Sequence, residues 1–301
     1  MTRIIGREVE PRLDWIALTD ALAAGHDLPR AEIEDVFLYQ GNRTLLNRSA
    51  WIAGLGLLVK AATVFPDNPA EGRPMVGGAV NLMSDRTGAL DAVIDFALLT
   101  KWKTAADSLL AARRLARPDS EVVLIVGAGT VGASLYDAYS AAFPQARFVI
   151  WNRSPDGAAR FAAARPGVEL CETLAHGVAR ADIVTCATMS TDPVLRGEWL
   201  RPGTHVDLIG AYRPDMREAD DDALTRARIF VDSRATTISH IGELRDPIDR
   251  SVITQADVLA DYYDLDAFAR EPDDITLFKN GGGAHLDLMT AAYLLDRAGP
   301  A

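Results

Sequence analysis

Six residues, Gly127-Ala128-Gly129-Thr130-Val131-Gly132, constrain the fold of this chain more than any other stretch, because of what flanks them. The run VVLIV before them reads as a buried strand, and GASLYDAYSAAF, which overlaps their end, as a helix. A glycine-rich turn in that context binds a dinucleotide. Gly127 permits the tight turn, Gly129 lets a pyrophosphate approach the backbone, and Gly132 lets the helix pack closely on the strand. Thr130 and Val131 then begin the helix, whose N–H groups and positive dipole end favour phosphate. From Glu121 onward, short β-branched runs continue to alternate with helical patterns: RFVIW, DGAARFAAA, VELC, DIVTCAT, HVDLI and RIFVD. That alternation implies βαβ units and a Rossmann-type, doubly wound parallel sheet, so the fold class is α/β.

The second strand of such a unit ordinarily ends in a carboxylate that grips the ribose diol and repels a 2′-phosphate. Here the segment is VIWNRSP, with Asn152 at that place. Asn152 removes the repulsion, and Arg153 and Arg160 can meet a 2′-phosphate with charge-assisted bonds, so NADP(H) is favoured and NAD(H) remains possible. The competing account has Asn152 bonding only ribose hydroxyls while Arg153 points to solvent. Thr188 and Met189, after DIVTCA, fall at the carboxyl edge of the sheet, where nicotinamide nucleotides lie. In KNGGGAH, Asn280 and Gly281 are candidates for the nicotinamide side, with a plain flexible turn as the alternative. His285 reads as structural.

The first hundred residues differ in texture. Two helices are expected, around Trp15–Ala24 and Arg30–Leu38, then strand-like segments with a hairpin at Asp85-Arg86-Thr87-Gly88. An Ala/Leu-rich helix stops near Pro118, and LDLMTAAYLLDR at the end is helical again and can return to pack on the first domain. A length of 301 residues with 49% hydrophobic content makes two domains the default.

The formal net charge of −11 opposes nucleic-acid binding. No run has the length of a membrane span, no apolar stretch resembles a signal peptide, and a cytoplasmic protein is expected. Cys171 and Cys186 have neither CxxC spacing nor a His cluster, so no metal site is expected and both read as buried thiols. An anionic ligand must therefore meet a local cationic pocket. Of 31 basic residues only four are lysine: Lys60, Lys101, Lys103 and Lys279. Lys60 lies inside the apolar run GLGLLVKAATVF, where an alternating strand would turn its charge toward a cleft or the core. Lys101 reads as a snorkelling surface residue.

Taken in order, LVKAATVFPDNP, KTAADSLLAARRLARPDS, VGAGTVG, GTHVDLIGAYRPDMREAD, ARIFVDS, GEL and ITLFKNGGGAHLDL resemble the ornithine cyclodeaminase/mu-crystallin family, from about Leu46 onward. The resemblance implies a homodimer in which a Rossmann domain, 116–283, is inserted in an α+β substrate and dimerisation domain, 1–115 plus 284–301. It also implies hydride movement between nicotinamide and the α-carbon of an amino or imino acid.

Residue by residue, the family's substrate-contacting lysine matches Lys60. Its R-T-A-A-x-S helix start reads Lys103-Thr104-Ala105-Ala106-Asp107-Ser108, which assigns Lys103 to the substrate carboxylate and Thr104 to the cofactor while giving up bidentate geometry. Arg48, in LLNRSAW, can restore a fork, or can be a surface arginine on an edge strand. The family's cyclodeaminases place an aspartate where this chain has Tyr212, so no base for a diamine is evident. Reduction of a cyclic imine asks for less: an anchored carboxylate, a protonated nitrogen and a hydride donor. The expected substrate is accordingly a small anionic imino acid, 1-pyrroline-2-carboxylate going to L-proline or 1-piperideine-2-carboxylate going to L-pipecolate. Arg48 and Lys103 hold the carboxylate, Lys60 donates to the substrate, and Tyr212 offers a hydroxyl to the ring nitrogen. Ornithine cyclodeamination, an alanine-type dehydrogenase and a non-catalytic crystallin-like nucleotide-binding protein stay open as alternatives.

Overall fold

The computed structural model describes residues 2–299; residues 1, 300 and 301, assigned above to the first domain, lie outside the described residues. The described residues form two compact units, one from the chain up to residue 103 with the C-terminal part from 282, and one over 104–281. The sequence places the domain boundaries at 115/116 and 283/284, and the compact units divide at 103/104, within the helix Phe96–Leu115, and at 281/282. Composition marks the end of a helix, not the residue within it at which the packing changes.

The first unit is built on a six-stranded sheet. Its strands are β1 (Arg3–Ile5), β2 (Glu32–Gln40), β3 (Arg43–Ile52), β4 (Gly56–Val64), β5 (Val76–Met83) and β6 (Leu90–Asp95), in the order β1-β6-β5-β4-β3-β2. All neighbours are antiparallel except the β1–β6 pair. The hairpin at 85–88 closes β5 onto β6, with Gly88 at φ 68°. The helix expected over Arg30–Leu38 is instead strand β2. Its β-branched and aromatic residues pair in register with β3 from Glu32↔Trp51 to Gln40↔Arg43 across the two-residue turn Gly41-Asn42. Ile33, Val36 and Phe37 fit a helical spacing as well as a strand, and the cross-strand partner decides between them. Along β4 burial alternates, so Gly56, Leu58, Lys60 and Ala62 share the buried face. The helix Ala284–Arg297 packs on β2 to β5, and the helix Trp15–His26, capped by Asp14 on Ala17 N–H at 2.7 Å, packs on it in turn.

The second unit is a wholly parallel eight-stranded sheet: β7 (Val122–Val126), β8 (Arg147–Trp151), β9 (Glu169–Leu170), β10 (Ile183–Cys186), β11 (His205–Leu208), β12 (Arg228–Val231), β13 (Val258–Ala260) and β14 (Thr276–Lys279). The order β13-β12-β14-β11-β10-β7-β8-β9 is that of a doubly wound Rossmann-type fold, extended by β14, which enters between β11 and β12. The central strands are buried on both faces and form one apolar core with the covering helices, as an all-parallel sheet requires. Among the described residues no helix is long and apolar enough to cross a membrane. Both cysteines are free; Cys186 is buried, but Cys171 is only half-buried, because β9 is a two-residue edge strand that leaves its flank open.

Candidate active site

In the second unit the three glycines do three different things. Gly127 sits at φ 113°, and a Cβ there would lie 2.6 Å from the Ala187 carbonyl oxygen. At Gly132 a Cβ would collide with the Gly127 carbonyl oxygen, so the helix can approach the strand this closely only without a side chain. Gly129 faces open space, with nothing within 4 Å of its would-be Cβ. It is also the N-cap of the helix Thr130–Ala142 and makes no side-chain cap bond, which leaves the first N–H groups of that helix available to phosphate. The turn is thus tight on both shoulders and open at its tip, a shape that fits a dinucleotide.

Asn152 braces this turn. Its side-chain oxygen accepts from Ala128 N–H at 3.1 Å, and its amide donates to the Ser154 carbonyl at 3.0 Å. Arg153 and Arg160 are exposed, and neither forms a side-chain hydrogen bond or ion pair among the described residues.

Two residues that sequence reading missed hold the loops at the carboxyl edge of the sheet. The buried Glu218 carboxylate accepts from Thr188 N–H at 2.6 Å and Thr188 Oγ1 at 2.9 Å after β10, and from Gly210 N–H at 2.5 Å and Ala211 N–H at 3.3 Å after β11. Glu243 in turn accepts from the N–H groups of Glu218 and Ala219, at 2.7 and 3.0 Å. Burial raises both acids, and the adjacent charge of Glu218 helps push Glu243 up to about 7. The fully buried Lys279 opposes those shifts, donating to the carbonyls of Leu208 and Asn280 at 2.9 and 2.8 Å. Asn280 donates to the Thr104 carbonyl at 3.1 Å and to Ser108 Oγ at 2.9 Å, while Met189 is 67% exposed at the loop tip. Removing the Glu218 carboxylate would strand several N–H donors of the two loops at once. Glu218→Ala is therefore expected to lose about 3 kcal/mol or more of stability, to be checked by urea unfolding; a variant as stable as the parent contradicts this role. Tyr212 follows the second of these loops, 49% exposed, next to the Arg213–Asp215 ion pair.

The first unit brings Arg48, Lys60 and Lys103 together. Register places Asp35, Arg48 and Lys60 side by side across β2, β3 and β4. The third missed residue, Asp287, enters from the first turn of the C-terminal helix and is fully buried. Its carboxylate lies 2.9 Å from Lys60 Nζ and 3.5 Å from Arg48, whose Nε and Nη2 bond Asp35 and whose Nη1 also donates to the Gly282 carbonyl at 2.6 Å. Arg48 is therefore not an edge-strand surface residue: β3 is flanked on both sides, and each guanidinium nitrogen already donates. Lys60 also stands over the Phe96 ring, 4.9 Å from its centroid. Burial brings its ammonium down to about 8, with Asp287 opposing and the charges of Lys103 and Arg48 adding to the fall.

Lys103 is 5% exposed and forms no hydrogen bond or ion pair among the described residues. His285 is buried against His26 and held neutral by burial and by the cations around it. Lys101 pairs with Glu10 at 2.7 Å, away from this group.

Comparison with known proteins gives this geometry a context. The chain is 52% identical over 292 residues to the Delta(1)-pyrroline-2-carboxylate reductase of Paracoccus denitrificans, covering 94% of this chain and 92% of that one. It is 32% identical to the ketimine reductase mu-crystallin of Rattus norvegicus, over 80% of this chain and 75% of that one. Among solved structures, an archaeal alanine dehydrogenase dimer with bound NAD superposes with a TM-score of 0.90 at 27% identity, over 99% and 96% of the two chains. The profile of one family matches residues 50–300. The chain belongs to the ornithine cyclodeaminase/mu-crystallin family.

Proposed function

We propose that the protein reduces the C=N bond of a small cyclic imino acid, 1-pyrroline-2-carboxylate before the six-membered homologue, with NADPH as the preferred reductant. The observation that carries this reading is Lys103: its side chain is sequestered with no hydrogen bond or ion pair of its own, its nearest counter-charge, Asp287, is already bonded to Lys60, and a substrate carboxylate supplies the direct partner. Arg48, with its nitrogens already donating, adds charge and rigidity to the carboxylate site more than a free fork. Lys60 then holds a proton on the imine nitrogen, which makes the α-carbon electrophilic, and Tyr212 serves as a second hydroxyl donor. When bound, the nicotinamide supplies the hydride to that carbon. The 52% identical reductase supports the substrate class.

The uncharged Asn152 and the unpaired Arg153 and Arg160 support NADPH over NADH. Arg153→Ala is expected to raise the KM for NADPH roughly 10–100-fold, as loss of one charge-assisted bond would, while leaving that for NADH unchanged. An equal change in both would remove the 2′-phosphate assignment.

A homodimer in the cytoplasm completes the proposal. The sheet face opposite Lys60 exposes Val36, Leu38 and Trp51, a surface suited to a second copy, and the free thiols suit a reducing compartment. Light scattering on the eluting protein tests the dimer. The function is tested by following NADPH oxidation with the five- and six-membered imines beside ornithine and alanine. Oxidation with the imines supports the reading; ammonia release from ornithine without imine reduction overturns it.

A further inference from the structure

Arg48 and Lys60 face each other directly on neighbouring strands. Two like charges in that position repel, yet Lys60 is buried and Arg48 half-buried beside it, and Lys103 adds a third cation. One carboxylate is common to them: Asp287 Oδ1 is 2.9 Å from Lys60 Nζ and Oδ2 is 3.5 Å from Arg48 Nη1, while Asp35 lies 2.7 Å from Arg48 Nη2. Its place in the first turn of the helix Ala284–Arg297, behind an N-cap glycine with no side-chain bond, adds the favourable end of the helix dipole.

We propose that Asp287 is the positioning residue of the imine reduction, holding Lys60 charged and aimed while leaving Lys103 free for the substrate carboxylate. The inference rests on the reductase reading but concerns a residue that touches substrate only through Lys60. The groups that face Lys60 and its partner are Asp287 and His285 from the C-terminal helix, Lys103 and the Phe96 ring from the helix Phe96–Leu115, Arg48 from β3, Asp35 from β2 and His26 from the first helix. Of these only Asp287 and Asp35 are anions, and Asp35 is engaged by Arg48. Burial and the other cations work against the Lys60 charge, and Asp287 is what opposes them. The same three cations outweigh the burial of Asp287 and hold its carboxyl below the usual range, so it stays an anion and does not itself carry the proton.

The test is Asp287→Asn, which keeps the shape and removes the charge. With four lysines in the chain, 13C labelling of lysine makes each side chain visible by NMR, and Lys60→Met assigns the Lys60 signal. In Asp287→Asn the Lys60 titration and the alkaline limb of the pH–rate profile are both expected to move down by about one to three pH units, as loss of an adjacent opposite charge does, with dinucleotide affinity unchanged. In the double variant, Asp287→Asn is expected to cost nothing beyond Lys60→Met, because Asp287 acts through that amine. An unmoved titration, or losses that multiply in the double variant, would overturn the inference. Should Asp287→Asn alone not fold, the double variant, which removes one charge of each sign, is compared with Lys60→Met: an equal rate supports the inference and a further loss overturns it. A parent enzyme that reduces no imine would refute the reductase reading, and the Lys60 titration would still report on Asp287.

Discussion

Lys60→Met is expected to lower kcat for imine reduction about 10²–10⁴-fold, the usual range for removal of a general acid, while leaving dinucleotide affinity intact. The side chain is nearly isosteric and packs in the same alternating face of β4 with Leu58 and Ala62. What disappears is the ammonium 2.9 Å from Asp287. The same assignment sets a pH dependence whose sign follows from Lys60 acting in its charged form. With its titration brought down to about 8, the acid is present below that pH and is lost as pH rises through it. The parent rate should therefore fall about tenfold for each pH unit well above 8, and this limb should be absent in Lys60→Met. Stopped-flow rates with the imine across pH 6 to 10, together with nucleotide titrations by fluorescence, measure both. A variant that keeps the parent's profile removes Lys60 from the chemistry.

The second large effect is structural. Gly132→Ala would drive a methyl group into the Gly127 carbonyl oxygen, a backbone atom fixed at the end of β7. The cost is expected to be about 3 kcal/mol, the upper end for over-packing a close-packed core, with a loss of dinucleotide binding. Gly129→Ala is the matched control: with open space around it, the variant should keep the parent's melting temperature while binding dinucleotide more weakly. Calorimetry and nucleotide titration of the pair separate a glycine needed for packing from one needed for the ligand. Equal stability losses would refute that division.

Much of the second unit was legible because a parallel sheet writes itself as short buried runs between helices, and VVLIV, RFVIW and HVDLI became β7, β8 and β11. β2 was misread because its apolar spacing suits either period and only its partner β3, across Gly41-Asn42, distinguishes them. In the cation group the lysines stood out as charges inside apolar runs. Asp287 carries the same signal with the opposite sign, a carboxylate within AHLDLMTAAYLL, and pairing the two anomalies would have found it. Glu218 and Glu243 were harder to see. Their task is to accept backbone N–H groups from loops after β10 and β11, and such partners leave no trace in side-chain pattern. Tyr212 and the residues proposed for the cofactor follow motif positions, so the sequence marks where they lie and not their orientation.

The most direct measurement is the fate of a label. NADPH carrying deuterium at nicotinamide C4, in each of its two stereochemical forms, is incubated with 1-pyrroline-2-carboxylate and the protein, and the product is analysed by mass spectrometry. One form should deliver a single deuterium to the α-carbon of L-proline with stoichiometric nucleotide oxidation. Unlabelled proline from both forms, or no proline from the imine while ornithine releases ammonia, would contradict the account.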